Sequence, residues 1–214
     1  MKVIIYILSL FLVTGCTAKE RSKTPATSID PAVQTRLDTA YFASGCFWCT
    51  EAVFERVKGV KDVVSGYSGG EVANPTYQQV SAGRTDHAEA VRVAYDPGVV
   101  SYEDLVYIFF GSHDPTQLNR QGPDVGKQYR SAIFYTSAKE KAIAERIMAE
   151  LNEKEYDGEI VTKLTPFSAF YDAEDYHQDY YEHHPNQPYI VSVSKPKVEK
   201  FMKRFKDKLK DKYK

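Results

Sequence analysis

A chain of 214 residues with 28 Lys and Arg against 29 Asp and Glu carries a formal net charge of −1, so its overall charge gives no reason to expect a nucleic acid partner. Hydrophobic residues make up 43% of it, enough for one sizeable core, and the apolar run from Val3 to Val13 is shorter than the roughly 20 residues that cross a bilayer. The three cysteines, Cys16, Cys46 and Cys49, leave one unpaired if two bond.

In chain order, Lys2, the apolar run and the small residues Thr14-Gly15 before Cys16 resemble the bacterial lipoprotein signal, in which cleavage leaves the cysteine as the lipid-modified first residue. The resemblance implies a signal peptide over residues 1–15 and lipidation at Cys16. It also implies a place in the bacterial cell envelope, held to a membrane and facing the periplasm or exterior. Residues 16–37 mix Ser, Thr, Pro and charges and read as a flexible tether, which leaves 38–214 as the single domain. With Cys16 acylated, Cys46 and Cys49 are the only thiols of the mature chain.

Ala40-Tyr41-Phe42-Ala43 reads as a strand that ends at Gly45 and feeds a helix. That order puts Cys46 in the first helical turn, where unpaired backbone N–H groups favour a thiolate and draw its pKa to about 3.5–7.5. A C-x-x-C pair at a helix start is a redox or metal pattern, and Phe47 and Trp48 offer apolar rings beside it. The alternative is an inert cysteine in an aromatic core. Two cysteines with no second ligand pair are too few for zinc, so no metal is expected. A strand follows over 63–67, then a turn or short helix over 74–80. Residues 88–95 alternate with period two and form a strand whose apolar face, Val91, Val93 and Tyr95, also carries Glu89. Ser101 starts a capped helix to about residue 111, and the polar loop 119–126 precedes a strand over 129–135. Ser137 starts a long amphipathic helix bearing Ile143, Ile147 and Leu151, followed by a strand over 160–164 and an aromatic, acidic segment over 170–181. In the basic run 195–214, Val198, Phe201, Met202, Phe205 and Leu209 recur at helical spacing, as in a helix docked on the domain rather than on a membrane surface. Helices alternating with strands over a mixed sheet make an α/β or α+β fold.

Four blocks in order resemble the A-type peptide methionine sulfoxide reductases. They are Gly45-Cys46-Phe47-Trp48; then Gly66-Tyr67-Ser68-Gly69-Gly70, Asn74-Pro75-Thr76-Tyr77 and His87-Ala88-Glu89-Ala90-Val91; then His113-Asp114-Pro115 through Arg130-Ser131-Ala132-Ile133; and Ala173-Glu174-Asp175-Tyr176-His177-Gln178. The resemblance implies a two-layer α/β roll with a ferredoxin-like core and a mixed β-sheet. It implies reduction of the S epimer of methionine sulfoxide, free or in oxidised proteins, through a sulfenic acid on Cys46, with Glu89 as the acid. Tyr77, Asp124 and Tyr129 match positions that hydrogen-bond the sulfoxide oxygen, and Phe47 and Trp48 match the pocket for the substrate methyl group. It further implies a monomer with no bound cofactor, drawing electrons from thioredoxin or another thiol reductant. Three departures stand out: Cys49 replaces a common glycine, Asp86 puts a charge near Glu89, and no C-terminal cysteine is present. The cysteine count therefore makes Cys49 the expected resolving thiol. Two other readings compete: a thioredoxin-like thiol–disulfide exchange protein, and a non-catalytic lipoprotein that binds a partner through aromatic loops.

Overall fold

The computed structural model describes residues 37–214, so the signal peptide, Cys16 and nearly all of the tether lie outside the described residues. Six strands form one sheet: β1 (Asp38–Ser44), β2 (Val60–Ser68), β3 (Ala88–Tyr95), β6 (Ser131–Tyr135), β7 (Lys163–Pro166) and β8 (Phe170–Asp172), in the order β7-β6-β1-β3-β2-β8. Every pairing is antiparallel except β6 with β7, which makes the sheet mixed, as expected. Among the described residues six α-helices accompany it: α1 (Phe47–Glu55), α2 (Tyr77–Ser81), α3 (Tyr102–Ser112), α4 (Ala138–Lys154), α5 (Tyr180–His183) and α6 (Lys195–Arg204).

The period-two pattern of β3 places Val91, Val93 and Tyr95 in the main core, each no more than 3% exposed. Phe42 of β1 lies at the centre of that core, its ring stacked on Phe54 at 5.0 Å and on Phe109 at 5.3 Å between centroids. The opposite face is built from Ala43, Ala88, Ala90 and Ala132 with Phe134, small enough for Phe167 and Phe170 to close over it. Helix α3 starts with the Ser101–Asp104 capping box read from the sequence. Ser137 caps α4, which buries Ile147 and Leu151.

The basic C-terminal run docks on the domain as expected, but its helix stops at Arg204. Val198 and Phe201 are buried by α6, whereas Phe205 and Leu209 lie beyond its end. Gly111 permits the approach, since a Cβ there would fall 2.5 Å from the Phe205 ring. The tail is then stitched to the end of α1, with Lys58 N–H donating to Lys208 O and Lys210 N–H to Arg56 O, both at 2.8 Å.

Several elements differ from the sequence reading, among them β6, which begins at Ser131 rather than at 129 because Lys127–Tyr129 forms a 3-10 turn with the Tyr129 N–H donating to Gly126 O. Strand β7 begins at Lys163 rather than at 160, because the Ile160 and Val161 amides are already spent on Asn152 Oδ1 and Pro115 O. The aromatic segment after 170 opens with the short edge strand β8, which pairs only with β2. The loop 119–126 folds into a two-stranded hairpin of β4 (Arg120–Gln121) and β5 (Asp124–Val125), turning at Gly122 with φ +61°.

Removal of the Phe54 ring from its stack on Phe42 is expected to cost about 3–5 kcal/mol. Denaturant unfolding of Phe54→Ala checks this against Leu118→Ala, a site 63% exposed, where a change within about 0.5 kcal/mol is expected.

Candidate active site

Gly45 takes φ +91°, and a Cβ at that position would fall 2.5 Å from the Gln121 side chain, so β1 turns into α1 where only glycine fits. Cys46 is then the N-cap of α1, one residue before the first helical turn, with extended torsions of −59° and 124°. Both Cys46 and Cys49, three residues apart, are free, buried thiols. The cap makes no side-chain bond to the helix. Instead the Phe47 N–H donates to Glu89 Oε2 at 3.1 Å, across 42 residues of chain.

Cys46, Phe47, Trp48, Tyr77, Glu89, Asp124 and Tyr129 line one cavity of about 320 Å³, joined by Gln187 and Tyr189. The structure thus brings together every site residue expected of the domain but Cys49. Cys49 lies just behind the cavity, buried, with its sulfur 3.1 Å from Ser194 Oγ. Trp48 stacks on Tyr180 at 3.8 Å, and its indole N–H donates to His177 Nδ1 at 3.1 Å. That bond places the His177 proton on Nε2, so the ring is neutral, in line with the downward push of burial on its pKa. Tyr77 packs on the same imidazole at 4.3 Å, and its backbone N–H donates to Glu174.

The electrostatics correct one expectation. Cys46 is not a low-pKa thiolate: burial pushes its thiol well up, Cys49 and Glu89 push it further, and the Tyr189 hydroxyl only partly opposes them. Cys49 is instead drawn down, chiefly by Cys46 beside it, against burial and with help from Lys197 and Ser194. Glu89 is pushed up to about 8 by burial, against the Phe47 N–H bond, with Asp124 and Cys49 adding to the rise. The site therefore rests with a neutral carboxyl facing a protonated thiol. Burial lifts the Tyr77 hydroxyl to about 12 and raises that of Tyr129 as well, which leaves both as O–H donors. Asp86 turns away to an exposed pair with Lys127, and Arg130 donates to its backbone carbonyl.

A family model described as "Peptide methionine sulfoxide reductase" matches residues 38–209. The chain belongs to this family. It is 56% identical over 172 residues to the peptide methionine sulfoxide reductase MsrA of Sulfolobus acidocaldarius, covering 80% of this chain and 97% of that protein. It is 54% identical over 172 residues to that of Thermus thermophilus, with the same coverage. Among solved structures, Mxr1 of Saccharomyces cerevisiae in reduced form matches with a TM-score of 0.66 and 37% identity, covering 73% of this chain and 89% of that chain. Methionine sulfoxide reductase A of Corynebacterium diphtheriae matches with 0.64 and 37%, covering 71% and 77%.

Within this reductase fold, Tyr189 went unnoticed in the sequence. Its hydroxyl donates to Asp124 Oδ2 at 2.5 Å, and its ring meets Trp48 edge-on at 5.8 Å. Nothing near Tyr189 in sequence signals this, because its partner is 65 residues away. Among the described residues, no group of three or more His, Cys, Asp and Glu is placed to hold a metal ion.

Folding favours the neutral form of Glu89, whose ordinary value is 4.5. Its contribution to stability is complete below about that pH and is lost as pH rises to about 8. Glu89→Gln keeps an acceptor for the Phe47 N–H and cannot ionise. It is expected to lose less stability than the parent between about pH 5 and pH 8, as read from urea midpoints at both ends.

Proposed function

We propose that this chain reduces the S epimer of methionine sulfoxide, free and in oxidised proteins, with Cys46 as nucleophile and Glu89 as proton donor. The reading is carried by the meeting of that thiol and that neutral carboxyl in one aromatic cavity, in a chain of this family. A sulfoxide sulfur is a poor electrophile until its oxygen is protonated or strongly hydrogen-bonded. Glu89, protonated at neutral pH, supplies the proton, and the Tyr77 and Tyr129 hydroxyls hydrogen-bond the oxygen. Phe47 and Trp48 receive the methyl group. Asp124 works through Tyr189, since a carboxylate oxygen that accepts from a hydroxyl has no proton to give.

Cys46 loses its proton as its sulfur attacks, and the sulfoxide oxygen takes one from Glu89. The oxygen passes to the Cys46 sulfur as the methionine thioether leaves, and the Cys46 proton restores the carboxyl. One thiol and one sulfoxide become one sulfenic acid and one thioether. Cys49 then attacks the sulfenic sulfur, the S–O bond breaks, and water departs as the Cys46–Cys49 disulfide forms. A thioredoxin-like dithiol returns both cysteines to thiols, and the cycle needs no bound cofactor. Cys46 caps the helix rather than lying within it, so the bond asks only the residue before the first turn to adjust. A thiol–disulfide exchange protein would share the cysteine pair but has no use for Glu89 or the tyrosine hydroxyls.

Epimer-resolved turnover with dithiothreitol tests the reading. Only the S epimer is expected to be consumed, Cys46→Ser to release no methionine, and Glu89→Gln to react about 10²–10⁴-fold more slowly. Consumption of both epimers alike, or methionine release by Cys46→Ser, would contradict it.

The mature protein is further proposed to begin at lipid-modified Cys16 and to sit on a membrane of the cell envelope, on the strength of residues 2–16 alone. Intact-mass measurement of the native product is expected to show a diacylated or triacylated Cys16 at the N-terminus. Cys16→Ala is expected to leave the membrane fraction or to remain unprocessed.

A further inference from the structure

Residues 188–204 form one helical run whose start, Ile190–Ser194, is π-helical, with Lys195 N–H donating to Ile190 O. Pro196 has no N–H for the Ser192 carbonyl and crowds it, which favours the wider turn. The run passes along both thiols. Tyr189 lines the cavity with Cys46, Ser194 lies 3.1 Å from the Cys49 sulfur, and Lys197 follows one turn after Ser194 on the same side. The Lys197 Nζ is shut off from solvent and has no hydrogen-bond partner among the described residues. Among the described residues it makes no ion pair, although a buried amino group is stabilised by a negative neighbour. The nearby Asp114 carboxylate is taken up by Thr116 and Gln117.

We propose that Lys197 is a positioning residue for the resolving step, its buried ammonium holding the Cys49 sulfur as the thiolate that attacks the sulfenic acid on Cys46. The inference rests on Cys46 and Cys49 being the nucleophile and the resolving thiol. The Ser194 hydroxyl, fully buried, turns to donate to the same sulfur once its proton is gone.

The groups around Cys49 support this role. From β3, Glu89 is neutral up to about pH 8, and burial keeps the hydroxyls of Tyr181 on α5 and of Tyr189 un-ionised. Asp124 of β5 opposes a thiolate, and the Lys197 charge favours one. Just past the end of α3, His113 lines one pocket with Lys197 and is pushed down to about 4, chiefly by burial, so it adds no second cation at neutral pH. When Cys46 becomes a sulfenic acid, Cys49 loses the thiol partner that contributes most to its acidity, and Lys197 and Ser194 remain.

The test is a single turnover of the mature chain with the S epimer of methionine sulfoxide and no reductant. Methionine release is followed alongside loss of the dimedone-reactive sulfenic acid as the Cys46–Cys49 disulfide forms. Loss of the charge in Lys197→Met is expected to raise the thiol's pKa by about one unit and so slow disulfide formation about tenfold at pH 6. The slowing is expected to exceed any change in methionine release by the same variant and to fade as pH rises, with Lys197→Arg restoring most of the rate. Disulfide formation in Lys197→Met that is slowed no more than methionine release, or that keeps the parent's pH profile, overturns the proposal. A parent enzyme that ends its turnover with a persistent sulfenic acid and a free Cys49 overturns the resolving role of Cys49, and this proposal with it.

Discussion

The bond from the Phe47 N–H to Glu89 joins the start of α1 to the start of β3, and the chemistry of the site depends on that junction being dry. A helix N-terminus alone would favour a charged carboxylate and a charged thiolate. Here desolvation outweighs it for both Glu89 and Cys46, each buried to within 5% of full exclusion. The same exclusion of water that keeps the Glu89 carboxyl neutral also keeps the Cys46 thiol protonated. In the proposed reaction, attack waits for a substrate whose sulfoxide oxygen draws on the Glu89 proton as the Cys46 proton leaves.

Around this junction the aromatic residues act as a frame. Trp48 is pinned from two sides, by the Tyr180 ring and by His177, and the His177 tautomer follows from having to accept the indole N–H. Phe47, Tyr77 and His177 pack against one another, so the cavity wall is preformed. A neutral oxygen-and-methyl substrate is well served by such a wall, which presents apolar faces with hydroxyl donors at fixed points.

The last third of the chain completes the site from outside the sheet. Arg56 at the end of α1 donates to Glu182 at 2.6 Å and lies between the Tyr181 and Tyr213 rings, each within 5 Å. The tail thus holds the helix that carries both cysteines, while residues 189–197 supply Tyr189 and Ser194 along its buried side. A segment that reads as a solvated basic face is, on its other side, the wall behind the two buried cysteines.

By itself the sequence determined much of the fold and the chemistry. The alternation of β3, the capped starts of α3 and α4 and the glycine turn before Cys46 are local signals, governed by torsions and side-chain period that neighbouring residues set among themselves. Cys46, Glu89 and Tyr77 were legible because the family blocks are contiguous in the chain. Tertiary structure alone decided which cysteine is the more acidic, that Asp124 is bound to Tyr189, that Asp86 points away to Lys127, and that β7 starts three residues late. The pairings of Asp124 and of Asp86 and the raised Cys46 thiol turn on desolvation or on a partner dozens of residues away, and neither burial nor a long-range partner is written in local spacing.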